Sequence, residues 1–243
     1  MHTVAIIPAR GGSKGIPRKN LREVGGVPLV VRAIRVGLAA SRADRVVVTT
    51  DDEEIAAVAR SAGAEVVMRP PELAADDTPT LPVLKFVLES LERDGWSAGI
   101  VVLLEPTSPF RSPEVVDACI AKLDDPAVRS AATVTQLERN PYNIFEVEGD
   151  RAKRFIQEPA GIFTRRQQFT HLKRINGCIY VARTDAVRAG RLLEEPMRVV
   201  EMTAEDSVNI DTPLDLEMAR LLAEKGAFSV CKSGSKHITV REE

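Results

Sequence analysis

A cluster of glycines and cations near the start of the chain has the composition of a phosphate-binding loop. The stretch "IIPARGGSKGIPRKNL" (6–21) carries three glycines, two prolines and four cationic side chains. Adjacent glycines allow backbone N–H groups to approach phosphate oxygens, while Arg10, Lys14 and Lys19 can neutralise their charge. The stretch therefore predicts a site for a triphosphate, with a solvated basic turn as the alternative.

This loop matches neither of the two most familiar phosphate-binding patterns. A Walker A loop ends in Gly-Lys-Ser/Thr, but here Ser13 precedes Lys14 and Gly15 follows it. The Rossmann fingerprint needs Gly-x-Gly-x-x-Gly, and the glycines at 11, 12 and 15 lack its first spacing. The sequence thus indicates a phosphate loop of another kind.

Short runs rich in Val and Ile alternate with longer helical patterns in the first half of the chain. The predicted strands are "TVAII" (3–7), "RVVVTTDD" (45–52), "EVVMR" (65–69) and "GIVVLLEP" (99–106), and the predicted helices cover 28–41, 53–63 and 81–93. This alternation predicts an α/β fold with a mainly parallel central sheet and helices on both faces. Because ligands bind outside the carboxyl ends of such strands, the polar residues that follow them should converge on one site.

The second half of the chain departs from this alternation. Short extended pieces with turn glycines occupy 140–175, which we interpret as a dimerisation arm. "INGCIYVAR" (175–183) predicts a returning strand, and "DTPLDLEMARLLAEKG" (211–226) predicts a closing helix with Asp211 or Thr212 at its N-cap. We therefore expect a single domain over 1–226, followed by a tail over 227–243.

Composition excludes several classes of protein. The 243 residues include 33 Lys and Arg against 35 Asp and Glu, a net charge of −2, so no general basic surface attracts nucleic acid or membranes. The three cysteines form no CxxC pair, which argues against disulfides and thiolate zinc and favours a reducing cytoplasm. No stretch approaches the roughly 20 apolar residues of a membrane span. We expect a cytoplasmic protein with no nucleic-acid or membrane partner.

Seven motifs together resemble one enzyme family. "IIPARGGSKGIPRKNL" is similar to the nucleotide-binding signature of the CMP-sialic acid synthetases (acylneuraminate cytidylyltransferases), whose fold the CMP-Kdo synthetases share. Further matches follow in the family's order: "TTDDEEIA", "RPPELAADDT", "LLEPTSPFR", "RRQQF", "NGCIYV" and "SVNIDTPLDLEMA". The resemblance runs from Thr3 to about Lys225. It implies a Rossmann-like nucleotidyltransferase fold, a homodimer with exchanged arms, and transfer of CMP from CTP to a nonulosonic (sialic-acid-like) sugar acid with release of pyrophosphate.

The resemblance also implies which residues bind the nucleotide. Arg10 and Lys19 would grip the phosphates as catalytic cations, and the backbone of the glycine loop would form the cradle. The full implied set is Arg10, Gly11, Gly12, Ser13, Lys19, Asn20, Arg69, Thr78 and Thr80. Read alone, Arg69 is a surface arginine at a strand end, and the two threonines are turn and N-cap residues.

The same resemblance implies a bound metal ion. Asp211 occupies the position of a metal-ligand aspartate, implying Mg²⁺, or Mn²⁺ in its place, bound by carboxylate and phosphate oxygens. Asn209 stands where close members often have a second aspartate. Asp211 is also the candidate catalytic carboxylate for removal of the hydroxyl proton, and its alternative role is a plain helix cap.

The implied sugar-binding residues are Glu105, Arg166, Gln167 and Tyr180. Three features depart from the sialic acid enzymes: Glu105 replaces a common glutamine, Asn143 aligns near a lysine, and Leu192-Leu193 aligns with an aromatic pair. We therefore expect a sugar other than, or in addition to, N-acetylneuraminate. Acceptors such as Kdo, legionaminate, pseudaminate or KDN, use of GTP, and a catalytically silent nucleotide-binding protein remain the alternatives.

Overall fold

A seven-stranded sheet forms the centre of the computed structural model, which describes residues 1–139, 141–156 and 172–226. The strands are β1 (Thr3–Pro8), β2 (Glu23–Val24), β3 (Val27–Pro28), β4 (Arg45–Thr50), β5 (Glu65–Met68), β6 (Ile100–Leu104), β7 (Ser130–Gln136), β8 (Phe145–Glu148), β9 (Arg151–Arg154), β10 (Lys173–Arg183) and β11 (Met197–Glu201). The central sheet has the order β11-β7-β10-β6-β1-β4-β5. β10 runs antiparallel to β6 and β7, and the other neighbouring pairs are parallel. The predicted mainly parallel sheet is confirmed.

Helices cover both faces of this sheet. They are α1 (Leu29–Ala39), α2 (Glu53–Ser61), α3 (Thr80–Arg93), α4 (Pro113–Ala121), α5 (Thr184–Arg188) and α6 (Pro213–Glu224). Side chains alternate between the faces of a strand, so Ala5 and Ile7 pack with α1, α2 and α4 while Val4 and Ile6 pack with α3. The two buried layers confirm the predicted α/β fold, and they hold the strand ends rigidly in place.

The closing helix begins with a reciprocal cap. The Thr212 side chain accepts from the Asp215 backbone N–H, and the Asp215 carboxylate accepts from the Thr212 N–H, which satisfies two otherwise unpaired donors. Gly226 follows the helix with a φ of +67°. Of the two predicted N-cap residues, Thr212 is therefore the cap, and Asp211 lies just before the helix.

A small hairpin occupies part of the predicted arm. β8 and β9 pair antiparallel around Gly149, whose φ is +63°, a left-handed conformation that glycine adopts without strain. The predicted extended pieces around Gly149-Asp150 are confirmed. The role of 140–175 in dimerisation and the domain boundaries stay predictions, and the tail at 227–243 lies outside the described residues.

Within the described ranges, none of the helices is both long enough and apolar enough to cross a membrane. Cys119 and Cys178 are buried free thiols. The cytoplasmic location stays a prediction.

Candidate active site

A cleft of about 240 Å³ opens at the carboxyl ends of β1, β5 and β6, where the α/β pattern predicts the ligand site. Its walls come from the glycine loop after β1, the segment that links β5 to α3, and the turn after β6. The lining residues are Pro8, Arg10, Gly12, Ser13, Lys19, Asn20, Arg69, Leu73, Ala75, Asp76, Thr78, Thr80, Val83, Glu105, Pro106 and Thr107.

Most of the residues predicted for the site lie in this one cleft. Nine of them line it: Arg10, Gly12, Ser13, Lys19, Asn20, Arg69, Thr78, Thr80 and Glu105. Asp211 contacts the lining residue Lys19, and the charge of Glu105 acts on the Tyr180 hydroxyl. Gly11 belongs to the glycine loop but is not among the lining residues, and it packs against Asp51 and Asp52. Arg166 and Gln167 lie outside the described residues, so their sugar-binding role stays a prediction.

The two adjacent glycines have different surroundings. A Cβ on Gly11 would lie 2.6 Å from Asp52 Oδ2, so this position requires glycine for close packing. The Gly11 N–H donates to Asp51 Oδ1 at 3.0 Å. Among the described atoms, nothing lies within 4 Å of the place where a Cβ on Gly12 would stand. Gly12 and Ser13, which line the cleft, are therefore better placed than Gly11 to approach a phosphate.

Two of the loop cations share one carboxylate. Arg10 Nη1 lies 2.5 Å from Asp76 Oδ1, and Lys14 Nζ lies 2.8 Å from Asp76 Oδ2. The hydrogen bond from Lys14, followed by that from Arg10, lowers the pKa of Asp76. Asp76 thus presents to these cations the kind of oxygen that a phosphate would present.

Lys19 crosses the cleft to the segment before α6. Its Nζ donates to the Ile210 carbonyl at 3.0 Å and to Asp211 Oδ1 at 3.2 Å. Asn209 Nδ2 donates to Asp211 Oδ2 at 2.7 Å, while Asn209 Oδ1 is buried with no hydrogen-bond partner among the described residues. The predicted catalytic residues Lys19 and Asp211 are therefore in direct contact.

A cation site can be built on Asp211, though with few protein ligands. Its side chain is 65% exposed, and a bound cation could take the place of the Lys19 ammonium. The described residues contain no group of three His, Cys, Asp or Glu side chains arranged to hold a metal. Carboxylate and phosphate oxygens are suitable ligands for Mg²⁺, which commonly keeps several waters.

Arg69, Thr78 and Thr80 line the part of the cleft that follows β5 in the chain. Arg69 is only 7% exposed, so the alternative of a surface arginine is wrong. Its backbone N–H donates to the Thr50 carbonyl at 2.8 Å, and burial lowers the pKa of its guanidinium. Thr78 Oγ1 donates to the Glu72 carbonyl at 3.1 Å. The N-cap of α3 is Pro79, so neither threonine is the cap.

The other end of the cleft contains buried charge. Burial raises the pKa of Glu105 to about 7, with the Arg111 charge opposing that rise. Arg111 is 4% exposed, and its Nη1 donates to the Glu105 carbonyl at 2.5 Å and to the Cys178 carbonyl at 3.2 Å. Tyr180, on β10, has its pKa raised by burial and then by the Glu105 charge. Glu105, Arg111 and Tyr180 thus form a buried ionisable cluster beside the phosphate loop.

Sequence reasoning placed Asp51 and Asp52 among the polar strand-end residues that converge on the site, but it gave them no role, and it did not single out Asp76 or Arg111. Asp51 and Asp52 gave a usable signal, since they end a buried strand that points at the site. The partners of Asp76 and Arg111 become visible only in the folded chain.

The fold and the cleft are those of a nucleotidyltransferase. A family model described as "Cytidylyltransferase" matches residues 4–233, nearly the whole sequence. The chain belongs to the cytidylyltransferase family, and the predicted enzyme class is confirmed.

Curated relatives place the chain near the enzymes that its motifs resemble. It is 29% identical to a CMP-N,N'-diacetyllegionaminic acid synthase of Legionella pneumophila over 92% of this chain and 97% of that protein. It is 30% identical to N-acylneuraminate cytidylyltransferase A of Danio rerio over 90% of this chain, and to the Escherichia coli N-acylneuraminate cytidylyltransferase over 91%. The chain spans about half the length of these last two proteins. The predicted resemblance to the CMP-sialic acid synthetases is confirmed.

Solved structures show the same fold. A CMP:2-keto-3-deoxy-manno-octonic acid synthetase complexed with CTP superposes with a TM-score of 0.70 at 23% identity, covering 93% of this chain and all of that one. A 4-diphosphocytidyl-2C-methyl-D-erythritol synthase of Anaerococcus prevotii superposes with a TM-score of 0.64 at 13% identity, covering 92% and 98%. The expected nucleotidyltransferase fold is confirmed.

Proposed function

We propose that the protein activates a nonulosonic acid by transferring CMP to it from CTP. The observation that carries this proposal is the cleft in which the glycine loop, Arg10 and Lys19 meet Glu105, whose charge acts on Tyr180. One end offers cations and backbone for a triphosphate, and the other offers polar groups for a sugar. Membership of the cytidylyltransferase family supports CTP as the donor.

The reaction is attack by the anomeric C2 hydroxyl of the sugar acid on the α-phosphorus of CTP. A new bond forms between the sugar oxygen and the α-phosphorus, and the bond from that phosphorus to the bridging oxygen breaks. Pyrophosphate leaves with the bonding electrons, and the hydroxyl proton passes to solvent or to a carboxylate. Such a transfer depends on positioning and on cancellation of charge, which Arg10, Lys14 and Lys19 would supply.

We further propose that Mg²⁺ binds with the nucleotide. Asp211 would provide one carboxylate oxygen, since its exposed side chain lies beside Lys19. A bound Mg²⁺ would neutralise phosphate charge and help to orient the triphosphate. Asn209, with an amide in place of a second carboxylate, leaves most of the remaining coordination to phosphate oxygens and water.

We propose a 5,7-diamino nonulosonate as the preferred sugar. Glu105 supports this choice in its ionised form, which a pKa of about 7 keeps available at neutral pH, because a carboxylate only accepts hydrogen bonds and favours a sugar that presents donors. Asn143 is exposed, and Leu193 is 42% exposed, where sialic acid enzymes carry a lysine and an aromatic ring. A relative matched over 97% of its length is named as a CMP-N,N'-diacetyllegionaminic acid synthase.

Pyrophosphate release tests the function and the sugar together. The purified full chain is incubated with CTP, MgCl₂ and one acceptor at a time: N,N'-diacetyllegionaminate, pseudaminate, N-acetylneuraminate, KDN or Kdo. We expect the highest kcat/KM with a diamino sugar. A strong preference for N-acetylneuraminate would refute the proposed sugar, and no release with any of the five would refute the activity.

We also propose a homodimer in which the hairpin of β8 and β9 packs on a second copy. Phe145 and Val147, two residues apart on one face of this hairpin, are 43% and 69% exposed, which leaves apolar surface on that face. Light scattering should give the mass of a dimer for the wild type and of a monomer for Val147→Asp. A monomeric wild type would contradict the proposal.

A further inference from the structure

A pair of residues beneath the glycine loop connects that loop to α2. Arg18 donates from both guanidinium nitrogens to the Asp52 carboxylate, with Nη2 at 3.1 Å from Oδ1, and it also pairs with Glu54. Asp52 caps α2 by accepting from the Ile55 N–H at 2.9 Å. Its own backbone N–H donates to Thr50 Oγ1 at 3.1 Å. The carboxylate that holds Arg18 is thus fixed by both a helix and a strand.

Arg18 has a left-handed backbone, with φ at +58° and ψ at +36°. Among the described residues it is the one non-glycine with a positive φ. This conformation is disfavoured for a side chain with a Cβ, so it persists where surrounding contacts determine it. The paired guanidinium is such a contact.

The left-handed residue begins the turn that carries two of the predicted nucleotide-binding side chains. Leu21 N–H donates to the Arg18 carbonyl at 2.9 Å, which closes the 3-10 turn Lys19–Leu21. From this turn, Lys19 reaches Ile210 and Asp211, and Asn20 Nδ2 donates to the Arg10 carbonyl at 2.9 Å. The direction of both side chains therefore depends on the conformation of Arg18.

The same aspartate pair also constrains the other side of the loop. Gly11 packs so closely on Asp52 that a Cβ would overlap it, and the Gly11 N–H donates to Asp51. The loop is thus attached to the end of β4 at Gly11 and again at Arg18. The residues between these points face the cleft at Gly12 and Ser13.

We propose that Asp52 and Arg18 are positioning residues that preset the glycine loop for the triphosphate of the nucleotide. Neither touches the reacting atoms in this scheme; both act through Lys19, Asn20 and the backbone at Gly11. The inference rests on the proposed function, since it assumes that the loop binds the phosphates of CTP. It adds a role for the aspartates of "TTDDEEIA" beyond helix capping.

Calorimetric titration of the full chain with CTP and MgCl₂, without a sugar, tests the proposal. Asp52→Asn keeps an N-cap residue of equal quality but removes the charge that holds Arg18. Arg18→Gly keeps the left-handed backbone accessible but removes the guanidinium. We expect each variant to raise the Kd for CTP about 10-fold, because a charge-assisted, two-point contact is lost.

The double variant and a control separate positioning from general stability. Arg18→Gly with Asp52→Asn should bind CTP within about 2-fold of either single variant, because the two residues act as one unit. Asp124→Asn removes the exposed ion pair of Arg42 and Asp124, 2.9 Å apart, and should leave the Kd unchanged. Unchanged Kd values in both single variants, or effects that add fully in the double variant, would overturn the inference. Failure of the wild type to bind CTP would instead overturn the proposed function.

Discussion

The two ends of the cleft hold their charges in opposite ways. At the end formed by the glycine loop, called the phosphate end after its proposed role, Arg10 and Lys14 share Asp76, and Lys19 contacts Asp211, all within reach of solvent. At the end formed by Glu105 and Arg111, called the sugar end after its proposed role, Arg111 is buried and donates to backbone carbonyls, while the pKa of Glu105 is raised by its burial. The ion pairs of the phosphate end can therefore exchange one carboxylate for another anion. The side chain of Arg111 at the sugar end is held by buried hydrogen bonds to the backbone.

This difference explains how one cleft can bind two unlike substrates. An incoming triphosphate can replace carboxylates that already occupy the cations, so little new order is needed there. A sugar at the other end meets buried groups whose hydrogen bonds it must complete, and a mismatch leaves a buried polar group unpaired. Under the proposed function, the phosphate end would therefore supply charge neutralisation, and the sugar end would supply selectivity.

The largest effect should come from removing Lys19. Lys19→Ala should lower kcat for pyrophosphate release about 100-fold, because the variant loses a cation that would offset charge on the leaving phosphates. Lys122→Ala, which removes an exposed lysine in the 3-10 segment Lys122–Asp124, should leave kcat unchanged. Near-normal turnover in Lys19→Ala would remove this residue from the mechanism.

A smaller effect is expected when the Glu105 carboxylate becomes an amide. Glu105→Gln should shift the ratio of kcat/KM between N,N'-diacetyllegionaminate and N-acetylneuraminate by about 10-fold toward the latter, with the KM for CTP unchanged. Steady-state kinetics with both sugars provide the measurement. A parallel change for the two sugars would show that Glu105 does not select between them.

The burial of Glu105 also predicts a pH-dependent stability. Its folded pKa of about 7 lies above the unfolded value of 4.5, so folding favours the neutral acid. The neutral form stabilises the wild type fully below about pH 4.5, and this advantage is lost as pH rises through 7. Between pH 5 and pH 8, Glu105→Gln should therefore gain about 2.5 kcal/mol in free energy of unfolding relative to the wild type. Urea denaturation at several pH values measures it, and a constant difference would show that Glu105 is ionised throughout.

The smallest effect should come from Asp76. Asp76→Asn removes the carboxylate that competes with phosphate for Arg10 and Lys14, so the KM for CTP should fall about 3-fold at low salt. Asp77→Asn makes the same change in net charge at an exposed neighbour and should have no effect. If the two variants give the same KM, Asp76 does not compete with the nucleotide.

The local pattern of the sequence was sufficient to predict the phosphate end. Its strand, its glycines and its cations lie within sixteen consecutive residues, and the alternation of strands and helices predicts that the carboxyl ends of β1, β4 and β6 lie on the same side of the sheet. By contrast, β7 ("SAATVTQ") has a weak apolar signal, and most of β11 is exposed, so neither strand was predicted.

The contacts that shape the site join residues distant in sequence. Arg18 and Asp52 are 34 positions apart, and Arg111 and Cys178 are 67 apart. The sequence pattern does not show which distant residues meet, because their contact depends on the order of the strands in the sheet. For the same reason, the buried state of Arg69 could not be read from its position at a strand end.

The most direct test follows the α-phosphorus of CTP. Full-length protein is incubated with MgCl₂, N,N'-diacetyllegionaminate and CTP that carries radioactive phosphorus at the α position, and the products are separated by chromatography. The account predicts that the label appears in a sugar nucleotide while unlabelled pyrophosphate is released in equal amount. Label that stays in CTP, or that appears in free CMP without a sugar nucleotide, would contradict it.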